Sequence, residues 1–346
     1  KKEGNMNRYN LLIILTLLFF TSHSFANPSS EEEAQIIYDK YNQVKAKFDS
    51  ITSDSKGYLY SKASETATNS YESYKNSSKY DFFTNSECSI AFSEDSDGDT
   101  LVDFNFLTVV PIRQSEDFKD TYFAQVSIGS MEQFGDRRIT TNFGLGYRNY
   151  NSDKNMVLGV NTFYDHEFSS NHYRASIGLE MKKDLLDLNF NYYEALSGKK
   201  TIKIDNTNGT EKALDGYDVE IGHPLPYLPW TKAFLSYYKY QGYQGDDPFG
   251  FRYSAELALH DNIDLEAGYN DDRQSDGVDQ NYWFAKITYK LQPNTGPTLF
   301  GTYSEPISER VFGKRDVKDT LLKKVRRNNK IMIERSQNGS FKVSGN

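Results

Sequence analysis

The sequence is poor in sulfur and has no long hydrophobic run. It contains one cysteine, Cys88, and five methionines in 346 residues, so an intrachain disulfide is excluded. Its longest apolar run, Leu11–Phe20, has ten residues, whereas a transmembrane helix needs ~20. The net charge is −8, from 40 basic and 48 acidic residues. Because there is no basic excess to attract phosphates, we expect no nucleic-acid partner.

Aromatic residues, in contrast, are abundant. The chain has 26 tyrosines and 23 phenylalanines, and aromatic residues make up 15% of it. This content is too high for a disordered chain. Both residue types favour β-strands, and tyrosine is enriched at membrane interfaces. The composition therefore favours a β-rich protein that contacts a membrane.

The first 26 residues have the features of an export signal. Met6 is the expected start, and the apolar run Leu11–Phe20 follows a short positively charged region. Ser24 and Ala26 then supply the small residues that signal peptidase requires. We expect a few upstream residues and then a signal peptide, cleaved after Ala26 once the chain crosses the inner membrane. The alternative is an N-terminal anchor helix.

Between residues 86 and 291, apolar and polar residues alternate. Phe143 and Leu145, for example, share one face of a strand, whereas Asn142 and Arg148 share the other. Strict alternation is typical of strands with two different environments. It predicts twelve strands, at about 86–93, 101–111, 121–130, 137–148, 155–166, 171–182, 184–194, 215–224, 231–242, 249–260, 262–271 and 280–291.

The length of these strands favours an all-β, twelve-stranded antiparallel outer-membrane barrel over a soluble two-sheet sandwich. A spanning strand needs ~9–11 residues, whereas strands in soluble sheets average about five or six. If the N-terminus is periplasmic, the longest connection, 195–214, lies outside, and the tight turns at Lys183 and Asp261 lie inside, as in outer-membrane barrels. The residues predicted to line the interior are Arg148, Arg174, Lys182, Arg252, Glu180, Asp187, Glu256, Asp264 and Glu266.

A series of short motifs gives the chain a resemblance to a known family. The motifs are Arg138–Arg148, Met156–Asp165, His172–Arg174, Gly178–Glu180, Asn191–Tyr193, Leu196–Gly198, Asp215–Val219, Pro224–Pro229 and Arg326–Glu334. In this order they resemble the β-domain of the inverse autotransporters, the intimin/invasin family of surface adhesins. The resemblance implies a twelve-stranded barrel whose C-terminal segment returns through the pore. In intimins and invasins, that segment carries adhesin domains to the cell surface.

Residues 27–85 are predicted to form a periplasmic helical segment. Its apolar residues follow the three-four spacing of a heptad seam. The seam predicts either a homodimer through this helix or one amphipathic helix that packs locally. The fading of the seam after Ile51 favours the local helix. The seam residues are Ala34, Ile37, Tyr41, Val44, Phe48 and Ile51.

Residues 292–346 are predicted to form a linker or plug with a surface-exposed end. The basic stretch Lys314–Arg327 is expected to thread the pore and to be helical around Val317–Val325. The alternative is a solvated periplasmic tail. The luminal acids expected to pair with this stretch are Glu180, Asp187 and Glu256.

The 55 residues from 292 to 346 are too few for an immunoglobulin domain of about 100 residues. The sequence therefore indicates either a barrel without an adhesin domain or a chain that continues. In both cases the expected function is a translocation and anchor unit that displays its C-terminal segment. The alternatives are a passive structural or diffusion barrel, and an adhesin that binds through the 195–214 loop.

No catalytic, cofactor-binding or metal-binding residues are predicted. Asp95–Asp99 resembles the start of a calcium loop, but Thr100 and Phe106 occupy the positions of its required glycine and glutamate. We expect no enzymatic activity and no cofactor. The expected partners are outer-membrane lipid, the barrel-assembly machinery and periplasmic chaperones. The histidines without zinc spacing are His166, His172, His223 and His260.

Overall fold

The computed structural model describes residues 82–94, 100–204, 207–273, 281–337 and 340–344. The predicted signal peptide, the heptad seam with its homodimer, and the acidic loop 95–99 lie outside these residues. Within the described part of the chain, helices are too short or too polar to cross a membrane.

The structure contains sixteen strands within the described residues. In chain order they are β1 (Ser86–Glu94), β2 (Thr100–Gln114), β3 (Asp120–Gln133), β4 (Asp136–Asn151), β5 (Met156–Glu167), β6 (His172–Lys183), β7 (Leu186–Ala195), β8 (Lys200–Ile204), β9 (Thr207–Ala213), β10 (Gly216–Leu225), β11 (Leu228–Tyr240), β12 (Phe249–His260), β13 (Ile263–Arg273), β14 (Tyr282–Lys290), β15 (Ile333–Gln337) and β16 (Ser340–Ser344).

Twelve of these strands form a closed antiparallel barrel, which confirms the predicted fold. Neighbouring strands β1 to β7 and β10 to β14 pair in sequence order, and β7 pairs with β10. The barrel closes where β14 pairs with β1, from Glu87 opposite Lys290 to Ser93 opposite Phe284. We call the end where β1 begins and β14 ends the inner end, and the opposite end the outer end.

The remaining four strands form a second sheet, in the order β16-β15-β9-β8. The hairpin β8–β9 lies within the 195–214 connection, which was predicted only as a loop. Strand β15 belongs to the C-terminal segment and pairs with β9, from Ile333 opposite Ala213 to Ser336 opposite Thr210. This sheet joins two parts of the chain at the outer end of the barrel.

The predicted strands match the observed ones to within three residues, and two predicted inner connections are shorter in the structure. The connection predicted at 112–120 is 115–119. The connection predicted at 225–230 is only two residues, 226–227, because β10 and β11 continue to Leu225 and from Leu228. All inner connections are therefore short. This extends the predicted contrast with the 195–214 connection at the outer end.

The two faces of the wall differ as the alternation predicted. On the outward face, Leu145 is 45% exposed, Ile177 is 57% exposed and Trp283 is 68% exposed. On the inward face, Arg148 and Arg174 are fully buried. An outward belt of large apolar side chains is what a hydrocarbon environment requires.

The inward face also carries aromatic rings, and several of them lie opposite a glycine on the neighbouring strand. A methyl group on Gly146 would lie well within 3 Å of the Phe123 ring, and the same holds for Gly144 and Phe163. Glycine therefore gives the ring room to lie against the wall, as in the aromatic rescue of strand glycines. The cross-strand pairs are Phe123–Gly146, Phe163–Gly144, Phe234–Gly222, Tyr240–Gly216, Tyr238–Gly250 and Phe284–Gly268.

Candidate functional site

The C-terminal segment fills the interior of the barrel. After β14, the chain follows the inner end and then enters the lumen; we call residues 317–332 the luminal segment. Its contacts reach strands on every side of the wall, so the segment lies inside the barrel. These contacts are Lys324 with β1 at 2.5 Å, Val325 with β3 at 2.8 Å, Arg327 with β5 at 2.6 Å, and Arg326 with β10 at 2.5 Å.

The entrance to the lumen is a single turn of 3₁₀ helix, Val317–Thr320. The side chain of Asn155, in the β4–β5 turn, accepts from the Val317 amide at 3.0 Å and donates to the Arg315 carbonyl at 2.8 Å. Arg315 pairs with Asp187 at 2.8 Å, which confirms the predicted pairing of the basic stretch with this acid. The predicted helix around 317–325 is therefore confirmed only in its first turn.

The rest of the luminal segment is not helical because the wall takes up its main-chain carbonyls. A helix would need these oxygens for its own hydrogen bonds. Arginine and asparagine side chains of the barrel replace the helical donors. The bonds run from Arg148 to the Leu321 and Lys323 carbonyls, from Asn191 to that of Arg326, from Arg174 to that of Asn328, and from Asn142 to that of Asn329.

Glu180 does not pair with the luminal segment, and that prediction is wrong. It pairs with Arg148 of the wall at 2.8 Å, and both side chains are almost fully buried. The two residues lie on β4 and β6, on either side of Gly159 of β5, which stands opposite both. Glu180 therefore orients the Arg148 guanidinium, and Arg148 binds the carbonyls of the segment.

Arg326 lies among three carboxylates. It pairs with Glu220 at 2.5 Å, with Glu256 at 3.3 Å and with Glu266 at 3.4 Å. Its guanidinium also stacks on the Phe234 ring, 3.6 Å from the ring centre. The predicted pairing of the basic stretch with Glu256 is confirmed. Arg326 thus brings three strands, β10, β12 and β13, to one point of the segment.

Around Arg326 the wall carries a row of four charged residues across four strands, with two glutamates in the middle and a lysine at each end. Glu256 and Glu266 stand directly opposite each other, which would be repulsive without compensation. Lys232 faces Glu256, and Lys286 faces Glu266 and forms an ion pair with it. The row therefore contains two acids and two bases, and Arg326 adds the fifth charge from the segment.

Arg327 makes the most deeply buried ion pair of the segment. Its guanidinium contacts the Asp165 carboxylate at 2.6 Å, and neither side chain is exposed. Arg174 pairs with the same carboxylate at 2.8 Å. The Phe163 ring lies below Arg327, 4.3 Å from its guanidinium carbon. Planar guanidinium groups can pair and stack in this way at the same time.

Beyond Arg327, an apolar cluster seals the outer end of the lumen. Ile331 and Ile333 pack against Ala213 of β9, and all three are buried. Met332 packs against Leu214 and inward-facing tyrosines of β7 and β11. The segment therefore leaves the lumen through a packed apolar collar and continues directly into β15.

Glu211 on β9, which lies outside the barrel wall, anchors the second sheet. It pairs with Arg138 of β4 at 2.6 Å and with Arg335 of β15 at 2.7 Å. Burial alone would raise the pKa of Glu211. Contacts with His172 and Arg138 outweigh this effect and hold the pKa well below its usual range. The carboxylate therefore stays ionised and connects the barrel to β9 and β15, the two central strands of the second sheet.

Glu334 on β15 anchors the same sheet to the β11–β12 connection. Its carboxylate accepts the main-chain amides of Tyr243 at 2.8 Å and Gln244 at 2.9 Å. The Glu334 side chain is buried. Charge-assisted bonds to main-chain amides are among the stronger hydrogen bonds in proteins. Two glutamates thus fix the position of the emerging chain on opposite sides of the pore.

These contacts make a site that holds a polypeptide rather than a small molecule. Carboxylates of the wall bind the cations of the segment, and amide and guanidinium donors bind its carbonyls. Within the described residues, histidine, cysteine and acidic side chains do not cluster as metal ligands would. Sequence reasoning missed the rings that stack on the arginines, although the glycines on the same faces were a signal for them.

Comparisons with known proteins agree with this architecture. The family model for the inverse autotransporter β-domain matches residues 37–329. A protein named as a homolog of the attaching and effacing protein, from Escherichia coli strain K12, is 37% identical over 108 residues. The match covers 31% of this chain and 36% of that protein. Invasin of Yersinia enterocolitica is 29% identical over 150 residues, which are 42% of this chain and 18% of invasin.

The chain therefore spans only about a third of the first relative and about a fifth of the second. A solved structure, from a study of the in-meso crystallization of membrane proteins, has a TM-score of 0.51 and 21% identity. The likeness covers 72% of this chain and 100% of that chain, and it supports the barrel fold. Because the family model matches most of its residues, this chain belongs to the inverse autotransporter β-domain family.

Proposed function

We propose that this outer-membrane barrel is a translocation and anchor unit that displays its own C-terminal segment at the cell surface. The observation that carries the proposal is the continuous path of residues 317–337, from the inner end, through the lumen, into a strand at the outer end. A chain that enters at one end and forms a sheet at the other has the geometry of a displayed segment.

The ion pairs between the C-terminal segment and the wall support the view that the lumen holds this particular segment. Five cations between Arg315 and Lys330 pair with carboxylates of the wall, each on a different strand. Matched pairs on many strands require one register of the segment in the pore. The pairs are Arg315–Asp187, Lys324–Glu87, Arg326–Glu220, Arg327–Asp165 and Lys330–Asp103.

The same packing argues against a diffusion barrel, the second function considered. An open diffusion channel keeps water along its lumen. Here Arg327 of the luminal segment and Asp165 of the wall are both fully buried. An apolar collar follows toward the outer end. A filled lumen favours an anchored polypeptide over the passage of solutes.

The direction of display is tested with epitope tags on otherwise unchanged chains. A tag after Ser344 should bind antibody on intact cells. A matched tag between Asp153 and Lys154, in the exposed β4–β5 connection at the inner end, should bind only after permeabilisation. If the two tags behave in the opposite way, the outer end faces the periplasm and display is excluded for this segment.

A truncation tests the same proposal without antibodies. Removal of residues 314–346 should raise the ion conductance of the purified barrel in planar bilayers, because the lumen loses its occupant. Unchanged conductance would mean that the segment does not block the pore.

The names of the relatives refer to attachment and invasion, and we propose that the displayed segment likewise serves contact with a surface.

A further inference from the structure

The chain between β14 and the luminal segment has an exposed apolar surface that the proposed display does not require. Residues 298–312, which we call the rim segment, run along the inner edge of the barrel wall. The amides of Leu299 and Phe300 donate to the carbonyls of Ala258 and Leu259, both at 2.9 Å. These carbonyls lie beyond Leu257, the last residue of β12 that pairs with β11. The rim segment therefore occupies the edge that β11 leaves open.

The rim segment then continues around the wall to the β10–β11 turn. The Asp261 carboxylate accepts the Thr302 amide at 2.9 Å, which holds the segment below β12. Further along, the Tyr227 amide donates to the Val311 carbonyl at 2.8 Å, and the Ser308 amide donates to the Tyr227 carbonyl at 2.9 Å. Main-chain bonds at both ends thus fix the segment in the circumference of the wall, beside the lumen rather than under it.

Large apolar side chains of the rim segment are exposed. Five of them occur within the thirteen residues from 300 to 312. A water-facing connection of a soluble protein rarely presents a contiguous apolar patch of this kind. The exposed fractions are 59% for Phe300, 47% for Tyr303, 70% for Ile307, 46% for Val311 and 40% for Phe312.

Phe312 shows which side of the wall this patch faces. Its ring lies edge-on to the His223 ring, with the two centres 4.9 Å apart. His223 is on the same face of β10 as Val219 and Ile221, which are each 42% exposed on the outward belt. The patch is therefore continuous with the lipid-facing surface. Tyr227, 47% exposed at the adjoining turn, extends this continuity.

The composition of the rim segment suits the interfacial layer rather than the hydrocarbon centre. Phenylalanine and tyrosine alternate with charged residues, among them Glu305, Glu309 and Arg310. Aromatic rings next to charges are typical of segments that lie at the level of lipid headgroups. Because this surface continues the lipid-facing belt, lipid is a better occupant for it than a second copy of the chain.

We propose that the rim segment inserts its apolar side chains into the headgroup layer of the leaflet at the inner end, so that its partner is a phospholipid surface. Insertion fixes the point at which the chain turns from the wall into the lumen. The proposal concerns the barrel and its bilayer, and it holds whether or not the C-terminal segment reaches the cell surface.

The test uses tryptophan fluorescence of the full chain folded in phosphatidylcholine vesicles. In a background with Trp230→Phe and Trp283→Phe, a reporter at Ile307→Trp should emit at shorter wavelength than free tryptophan. It should lose fluorescence in vesicles of brominated phosphatidylcholine, most strongly with bromines near the headgroup. A chain with only Trp230→Phe keeps the lipid-facing Trp283 as the positive standard. The water-exposed standard is Asp153→Trp in the double background.

Two results would overturn the proposal. Quenching of the Ile307 reporter by aqueous acrylamide to the same extent as the Asp153 reporter, without quenching by bromolipid, would place the patch in water. Protection from both quenchers would mean that protein covers it, either another part of this chain or a second copy. Folding of each variant is checked by the altered gel mobility of the unheated barrel.

A second measurement applies if the double tryptophan background does not fold. Because Cys88 is the single cysteine, Cys88→Ser with Ile307→Cys accepts one spin label. In vesicles, the label should collide more often with oxygen than with a water-soluble nickel complex. The reverse preference would contradict lipid insertion.

Discussion

Arg327 of the luminal segment and Asp165 of β5 form a fully buried ion pair, with 2.6 Å between Nη2 and Oδ2. Arg174 shares the same carboxylate, so one aspartate neutralises a cation of the wall and a cation of the segment. Loss of this one carboxylate would leave a cation of the barrel wall and a cation of the luminal segment without their shared partner.

We first predict an asymmetric cost of breaking this pair. Asp165→Asn leaves two buried guanidinium groups without their carboxylate and should lower the free energy of unfolding by ~3–5 kcal/mol. Arg327→Met leaves Asp165 paired with Arg174 and should cost less, about 1.5–3 kcal/mol. Urea unfolding in lipid vesicles measures both values. Lys154→Met, at an exposed position of the β4–β5 connection, is the control. Equal costs for the two buried variants would contradict the shared-carboxylate arrangement.

We next expect Arg326→Met to make the pore leak cations. The substitution leaves Glu220, Glu256 and Glu266 close together without the cation that separates them, so that the segment should loosen and the lumen should become negative. Conductance in planar bilayers should rise, and the reversal potential in a KCl gradient should shift toward cation selectivity. Lys154→Met, in the exposed β4–β5 connection, should change neither quantity. A non-selective rise would show that loosening, rather than charge, controls the leak.

A third prediction concerns the outward belt. Ile177 is 57% exposed on the outward face of β6, and Ile177→Arg should cost ~2–4 kcal/mol if the site lies near the bilayer midplane. Ile177→Leu keeps an apolar side chain and should fold like the original barrel. The comparison is made by reversible folding into vesicles. Equal stability of the arginine and leucine variants would mean that this face is not in hydrocarbon.

The attachment of the second sheet should weaken in acid. The folded-state pKa of Glu211 lies below its usual value, so its stabilisation is present above the unfolded pKa of about 4.3 and is lost as the pH falls through the folded pKa. Hydrogen exchange of the β9 amides, corrected for intrinsic rates, should be slow at pH 5 and faster at pH 3.

Glu211→Gln provides the matched control for this pH dependence. The variant should exchange rapidly at pH 5 and should show little further change in acid, because it has no carboxylate to titrate. If the variant retains the full acceleration between pH 5 and pH 3, another group controls the attachment of the sheet.

The strand count and the two faces could be predicted because alternation is a local property of the sequence. Phe143 and Arg148 differ in environment by their parity alone, and no knowledge of their neighbours is needed. The pairing of the basic stretch with Asp187 could also be predicted, although not the identity of its partner Arg315, since charges of opposite sign must meet in a narrow lumen. The two faces need only the sequence of one strand at a time, and the pairing needs only the signs of the charges in the two elements.

The partner of Glu180 could not be predicted in the same way because it depends on the register of three strands. Arg148 and Glu180 both stand opposite Gly159, which lacks a side chain to separate them. The hairpin β8–β9 was missed for a similar reason. Thr201–Ile204 alternates polar and apolar residues, but the strand that completes the sheet, β15, lies more than a hundred residues further along the chain.

The second sheet also determines how the protein bears mechanical load. Ser344 pairs with Ile333 at the barrel end of the hairpin, whereas Gln337 pairs with Ser340 at its tip. An outward pull at Ser344 therefore opens β16 from β15 one pair at a time. The pull then acts along β15, perpendicular to its hydrogen bonds with β9, so that these bonds are sheared together. A pulling trace should show a weak early event followed by a stronger one, and the stronger resistance protects the ion pairs in the lumen.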